Sequence, residues 1–89
     1  MITERIEIIN ELGLHARAAS KLVSTASRFA ADLKLTKDNQ TVDAKSIMSV
    51  MMLAASKGTW LEITAQGDDA EEALAALREL INDRFGEEK

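Results

Sequence analysis

The stretch Trp60-Leu61-Glu62-Ile63-Thr64-Ala65-Gln66, closed by Gly67 and followed by Asp69 to Ile81, decides the fold. Leu61, Ile63 and Ala65 alternate with polar neighbours, the period of a strand with one buried face. Trp60 has the opposite parity and falls on the other face. Beyond Gly67, Ala70, Ala73, Leu74, Leu77, Leu80 and Ile81 recur at three- and four-residue intervals, which predicts a helix with one apolar stripe. Asp69, with Glu72 three residues on, matches a capping box. Glu71 and Glu72 suit the positive end of the helix dipole, and Gly86 is the expected stop. A one-faced strand next to a one-faced helix calls for two layers, a sheet covered by helices on one side.

The rest of the chain fits that plan. Ser46 is placed to cap a short helix from Ile47 to about Leu53. Its apolar residues are more than one buried face needs. Val50, Met51 and Leu53 are expected mainly in the core and Ile47 and Met48 mainly outside, where methionine suits an adaptable contact. Leu33 and Leu35 alternate with polar residues in a strand. Asp38-Asn39 is a turn signal, and Thr41 to Ala44 is the returning strand of a hairpin. Ala16 to about Phe29 reads as a helix through Ala19, Leu22, Val23, Ala26, Phe29 and Ala30. Ile2, Arg5 and Ile6-Glu7-Ile8 make the first strand. The order is βαββαβα, an α+β domain over residues 1–89, with three helices on one face of a four-stranded antiparallel sheet and the other face open.

Composition narrows the function classes. The 89 residues contain no cysteine and one histidine, so a disulfide framework, a thiol nucleophile and a protein-only zinc site are not expected. Met1-Ile2-Thr3-Glu4-Arg5 is too charged to begin a signal peptide, and Val50 to Ala55 is far too short to span a bilayer. A cytoplasmic protein without membrane insertion is the expectation. The net charge of −4 argues against nucleic acid as a partner. Charge is unevenly spread: Gly13 to Gly58 carries net +4, including Arg17, Lys21, Lys45 and Lys57, and the remainder carries −8. A basic face of this kind suits phosphate or an acidic protein surface.

The lone histidine, His15, stands in Gly13-Leu14-His15-Ala16-Arg17 at the start of the first helix. The first N–H groups of a helix lack intrahelical partners and, with the aligned peptide dipoles, attract a phosphate. Arg17 in the first turn adds a charge and donors shaped for phosphate oxygens. Such positive surroundings should disfavour the imidazolium and leave a neutral, nucleophilic ring.

Gly13-Leu14-His15-Ala16-Arg17 and Lys45-Ser46-Ile47-Met48 together resemble the two signature segments of the HPr family, the histidine-containing phosphocarriers of the bacterial phosphoenolpyruvate-dependent phosphotransferase system. Length, element order and segment separation agree over nearly the whole chain. The resemblance implies an open-faced β-sandwich with strand order 1-4-2-3. It implies that His15 accepts a phosphoryl group, through Nδ1, from phosphorylated enzyme I and passes it to enzyme IIA domains for sugar uptake, with Arg17 stabilising the group. It further implies regulatory phosphorylation at Ser46 by a serine kinase, and partner docking through Ala16, Ser20, Ile47 and Met48. Such a carrier is a monomer, needs no cofactor and is a stoichiometric intermediate rather than a turnover enzyme. Two positions depart from the family's pattern: Ala18 stands where most relatives have proline, and Ser49 where many have glycine. Other readings of the same residues are a carrier for a regulatory, nitrogen-related branch, a small phosphate-handling hydrolase, and a non-catalytic interaction domain.

Overall fold

The computed structural model describes residues 1–89. Strands β1 (Ile2–Glu7), β2 (Asp32–Lys37), β3 (Gln40–Asp43) and β4 (Trp60–Gln66) alternate with helices α1 (Ala16–Ala26), α2 (Ile47–Met52) and α3 (Ala70–Asn82). A 3-10 turn, Arg84–Gly86, follows α3. The strands form one sheet in the order β1-β4-β2-β3, with every neighbouring pair antiparallel. The order follows from the connections. β1 and β2 run the same way and are joined through α1, as β3 and β4 are through α2. Strands running the same way need a long crossover, and each crossover leaves a gap that a third strand fills. β4 fills the first gap and β2 the second. β4 is central and supplies Leu61, Ile63 and Ala65, all fully buried. β1 and β3 are the edge strands, and β3 is short and polar, a sequence that discourages pairing with a second chain.

All three helices lie on the face to which Ile6, Leu33, Leu35, Leu61, Ile63 and Ala65 point, and 23 residues join in one apolar cluster. Alanines at 18, 19, 26, 70 and 73 are buried, which lets α1 and α3 pack closely together and α3 lie close on β1 and β4. On the open face Trp60 is half exposed, and the Arg5 guanidinium lies 5.1 Å from its ring centroid. This is a tryptophan lying across a solvated sheet, held by a cation–π contact. No helix is long and apolar enough to cross a membrane.

Four elements differ from the sequence reading. α1 ends at Ala26, three residues short of Phe29, and Ala30 is exposed rather than packed. The cause lies at Asp69. Its side chain does not cap α3; instead it accepts hydrogen bonds from the N–H groups of Ala30 and Ala31, at 2.9 and 2.8 Å. That carboxylate satisfies the backbone as it leaves α1 and turns the chain into β2. Second, α3 stops at Asn82, before Gly86. Arg84 and Phe85 take left-handed conformations, φ 55 and 56°, and Phe85 folds back into the core with no exposed surface. Burying a phenyl ring outweighs the cost of two non-glycine residues in that region. Third, Met51, expected in the core, is 40% exposed, so that of the three only Val50 and Leu53 are buried. β3 is also displaced by one residue, to Gln40–Asp43.

Candidate functional site

His15 is the N-cap residue of α1, with extended backbone (φ −73°, ψ 179°), and its side chain makes no capping bond. The ring is therefore free to point away from the helix end it introduces. Its carbonyl accepts the first helical bond, from Ala19 N–H at 2.8 Å. The N–H groups of Ala16, Arg17 and Ala18 precede that bond and face the electropositive end of the helix. No acidic residue sits in the first turn to neutralise it. Ala18 is fully buried, so proline's absence there restores an N–H without opening a gap in the packing.

The loop before His15 is fixed by Gly13. Its φ of +66° is the left-handed region, and a Cβ there would run into the Ala55 carbonyl oxygen and come within 2.8 Å of Ser56 Cα. Close approach to the loop after α2 is thus the reason for glycine. The neighbouring Leu14 N–H donates to the Ala55 oxygen at 2.8 Å.

Glu11, Leu12, His15, Ala16, Arg17, Glu87 and Lys89 line a shallow cleft of about 620 Å³ at the start of α1. Two of the expected residues, His15 and Arg17, are brought together there, and Ala16 lies on the rim. Ser20 is exposed further along α1. Ser46, Ile47 and Met48 lie outside the cleft on α2, which packs against α1. Ser46 caps α2, accepting from Ser49 N–H at a long 3.4 Å. Ile47 and Met48 are 38% and 69% exposed, and Leu12 and Met52 are also exposed. An apolar surface is available on α2 as expected.

The electrostatics depart from the sequence reading in two ways. The basic residues do not form one free face: Lys21 donates to the Phe85 carbonyl at 2.7 Å and Lys45 to the Phe29 carbonyl at 2.8 Å. Both ammonium groups are spent on chain ends that helices leave unsatisfied. The surroundings of His15 are also not purely positive. The C-terminal residues fold back over the cleft, and the Glu87 carboxylate hydrogen-bonds the His15 Nε2 atom through Oε2. Its Oε1 accepts from Asn10 Nδ2 at 3.0 Å. Burial by itself pushes the Glu87 carboxyl up. The hydrogen bonds from His15 and Asn10 and the charges of His15 and Arg17 outweigh it and hold the group below its usual 4.5. A carboxylate is therefore present in the cleft at neutral pH.

Neither Glu87 nor Asn10 was identified from the sequence. Glu87 belongs to a polar chain end with no periodicity to mark it. Asn10 did carry a signal: Ile6 and Ile8 set the inward parity of the first strand, and Asn10 continues it as a polar residue with no exposed surface.

The frame and the cleft define a class: an open-faced sandwich that presents one histidine and one arginine at the N-terminus of its first helix. The pattern of the family described as "PTS HPr component phosphorylation site" matches residues 2–83. The chain belongs to the HPr family, the phosphocarriers of the phosphotransferase system. It is 53% identical over 87 residues to the phosphocarrier protein HPr of Neisseria meningitidis serogroup A, covering 98% of each chain. Its structure is similar to HPr-C-His from Thermoanaerobacter tengcongensis, with a TM-score of 0.97, 49% identity and all of both chains covered. The HPr of Bacillus anthracis is similar at a TM-score of 0.87 and 45% identity, covering 90% of this chain and 95% of its own.

Proposed function

We propose that the chain carries a phosphoryl group on His15 Nδ1, received from phosphorylated enzyme I and handed to enzyme IIA domains of sugar uptake. The observation that supports this most strongly is the division of labour on the ring. Nε2 is engaged by Glu87, whereas Nδ1 has no protein partner and belongs to a ring placed at the positive end of α1. A phosphoryl group on Nδ1 meets the free N–H groups of the first turn and the Arg17 guanidinium, which stabilise the charge that spreads over its oxygens during transfer. The group is only in transit, so the protein serves as a stoichiometric carrier. Incubation with phosphoenolpyruvate and enzyme I tests the reading. One phosphoryl group per chain should appear in the intact mass, be labile to acid, and disappear on adding an enzyme IIA domain. An unchanged mass would overturn it.

Arg17→Ala should slow phosphoryl uptake or donation by about 1–3 kcal/mol in the barrier, roughly 5- to 150-fold, as expected for a lost charge-assisted bond. The side chain is exposed and supports no core contact, so thermal stability should hardly move. Wild-type single-turnover rates in both directions would remove Arg17 from the mechanism.

Docking is assigned to Ala16, Ser20, Ile47 and Met48, all at or near the surface of the packed α1–α2 pair. Ser46 sits at the edge of that surface, and its phosphorylation by a serine kinase is assigned a regulatory role. A phosphate there adds roughly −2 charge at a helix N-terminus, which tolerates it locally while burdening an apolar contact. Ser46→Asp should raise the apparent Michaelis constant of enzyme I for this protein and leave the circular dichroism spectrum unchanged. Equal rates at every carrier concentration would leave Ser46 as a helix cap alone.

A further inference from the structure

The geometry points to Glu87 as a positioning residue for phosphoryl transfer, one that fixes the proton of the His15 ring on Nε2 and so presents Nδ1 with its lone pair. This rests on the reading of His15 as the acceptor. The chain end is built to deliver this carboxylate. After Asn82 the left-handed residues Arg84, Phe85 and Gly86, at φ 55, 56 and 79°, reverse the backbone. Phe85 is fully buried, its carbonyl is held by Lys21, and the Glu87 N–H donates to the Arg84 carbonyl at 2.9 Å. Beyond the carboxylate, the Lys89 carbonyl accepts from Glu11 N–H at 3.0 Å. Glu87 is thus clamped on both sides, and only 14% of its side chain is exposed.

Its two oxygens are used separately. Oε2 takes the His15 Nε2 bond and Oε1 the bond from Asn10. Asn10 is fully buried and also donates to the Gly13 carbonyl at 2.8 Å, within the loop that leads into His15. Both of its bonds go to acceptors, so its NH2 group must face them. One amide therefore ties the carboxylate to the backbone that carries the histidine, and its own Oδ1 is left buried without a partner.

An ionised carboxylate only accepts, so the hydrogen it shares with a neutral ring must sit on Nε2. Nδ1 is then the unprotonated nitrogen. In the transfer the bond between phosphorus and the donor atom breaks, with the electron pair remaining on the donor, and the Nδ1 lone pair forms the new bond. The Nε2 proton stays where it is throughout. The phosphorylated ring gains a positive charge, and Glu87 faces it. Donation reverses the same steps: the Nδ1–phosphorus bond breaks, its electron pair returns to Nδ1, and the ring leaves neutral. The role is that of the carboxylate that orients a catalytic histidine in hydrolytic triads.

The test uses the full chain, with Glu87→Ala and, as the conservative variant, Glu87→Asp. Ring 15N signals of the single histidine, read above its titration range, report the tautomer, and single-turnover phosphorylation by enzyme I and phosphoenolpyruvate reports the rate. The wild-type ring should be predominantly the Nε2–H form. Glu87→Ala should move toward a mixture and lose roughly ten- to a hundredfold in rate, the range found for partners that orient metal-binding histidines. Glu87→Asp should recover part of both. Wild-type rate in Glu87→Ala, a faster rate, or a slower rate with unchanged ring signals would each overturn the proposal. A wild-type protein that accepts no phosphoryl group would instead overturn the acceptor reading.

Discussion

His15→Ala is expected to abolish acid-labile phosphoryl uptake completely while leaving the fold in place. It is the only histidine, and no cysteine is present to take over as nucleophile. The side chain is 29% exposed and caps nothing, so its removal leaves no buried cavity and deprives α1 of no bond. The part-buried Glu87 carboxylate does lose its Nε2 partner, so stability should fall by about 1–3 kcal/mol without loss of the fold. Intact mass after incubation with enzyme I and phosphoenolpyruvate, with circular dichroism as control, checks both halves. Undiminished labelling would show that another residue is the acceptor.

Phe85→Ala is the second large effect. The ring is among the largest fully buried side chains and belongs to the cluster under the sheet. Truncation should lower the unfolding free energy by about 3–5 kcal/mol, combining lost burial with the cavity left behind. In a domain of this size that is a large share of the total. Because Phe85 also anchors the chain end that carries Glu87, the native variant should lose protection of the Glu11 N–H in hydrogen exchange. Urea denaturation measures the first effect. A loss below about 1 kcal/mol would mean that the chain end is held by its hydrogen bonds and not by the ring.

Much of the architecture could be read from local patterns. Leu61, Ile63 and Ala65 gave β4 its bounds, and Ser46 gave α2 its start, because strand alternation and a capping serine are properties of neighbouring residues. His15 and Arg17 were legible for the same reason, lying two positions apart at one helix start. What the sequence hid was long-range. Asp69 has the local signature of a cap, yet its carboxylate goes to Ala30 and Ala31, 39 and 38 positions away. Lys21 and Lys45 contribute to a basic composition, but distant carbonyls take their donors. Glu87 meets His15 across 72 positions, a pairing that only the reversal at Phe85 creates. Periodicity carries no information about where a chain end returns.

The proposed acceptor atom, His15 Nδ1, is the point to test. Uniform 15N labelling of the one histidine gives two ring signals, one for each nitrogen. In the phosphorylated protein, coupling to 31P should appear on Nδ1 alone, with the proton on Nε2. Coupling on Nε2, or none on either nitrogen in a protein whose mass shows the added phosphoryl group, would contradict the account.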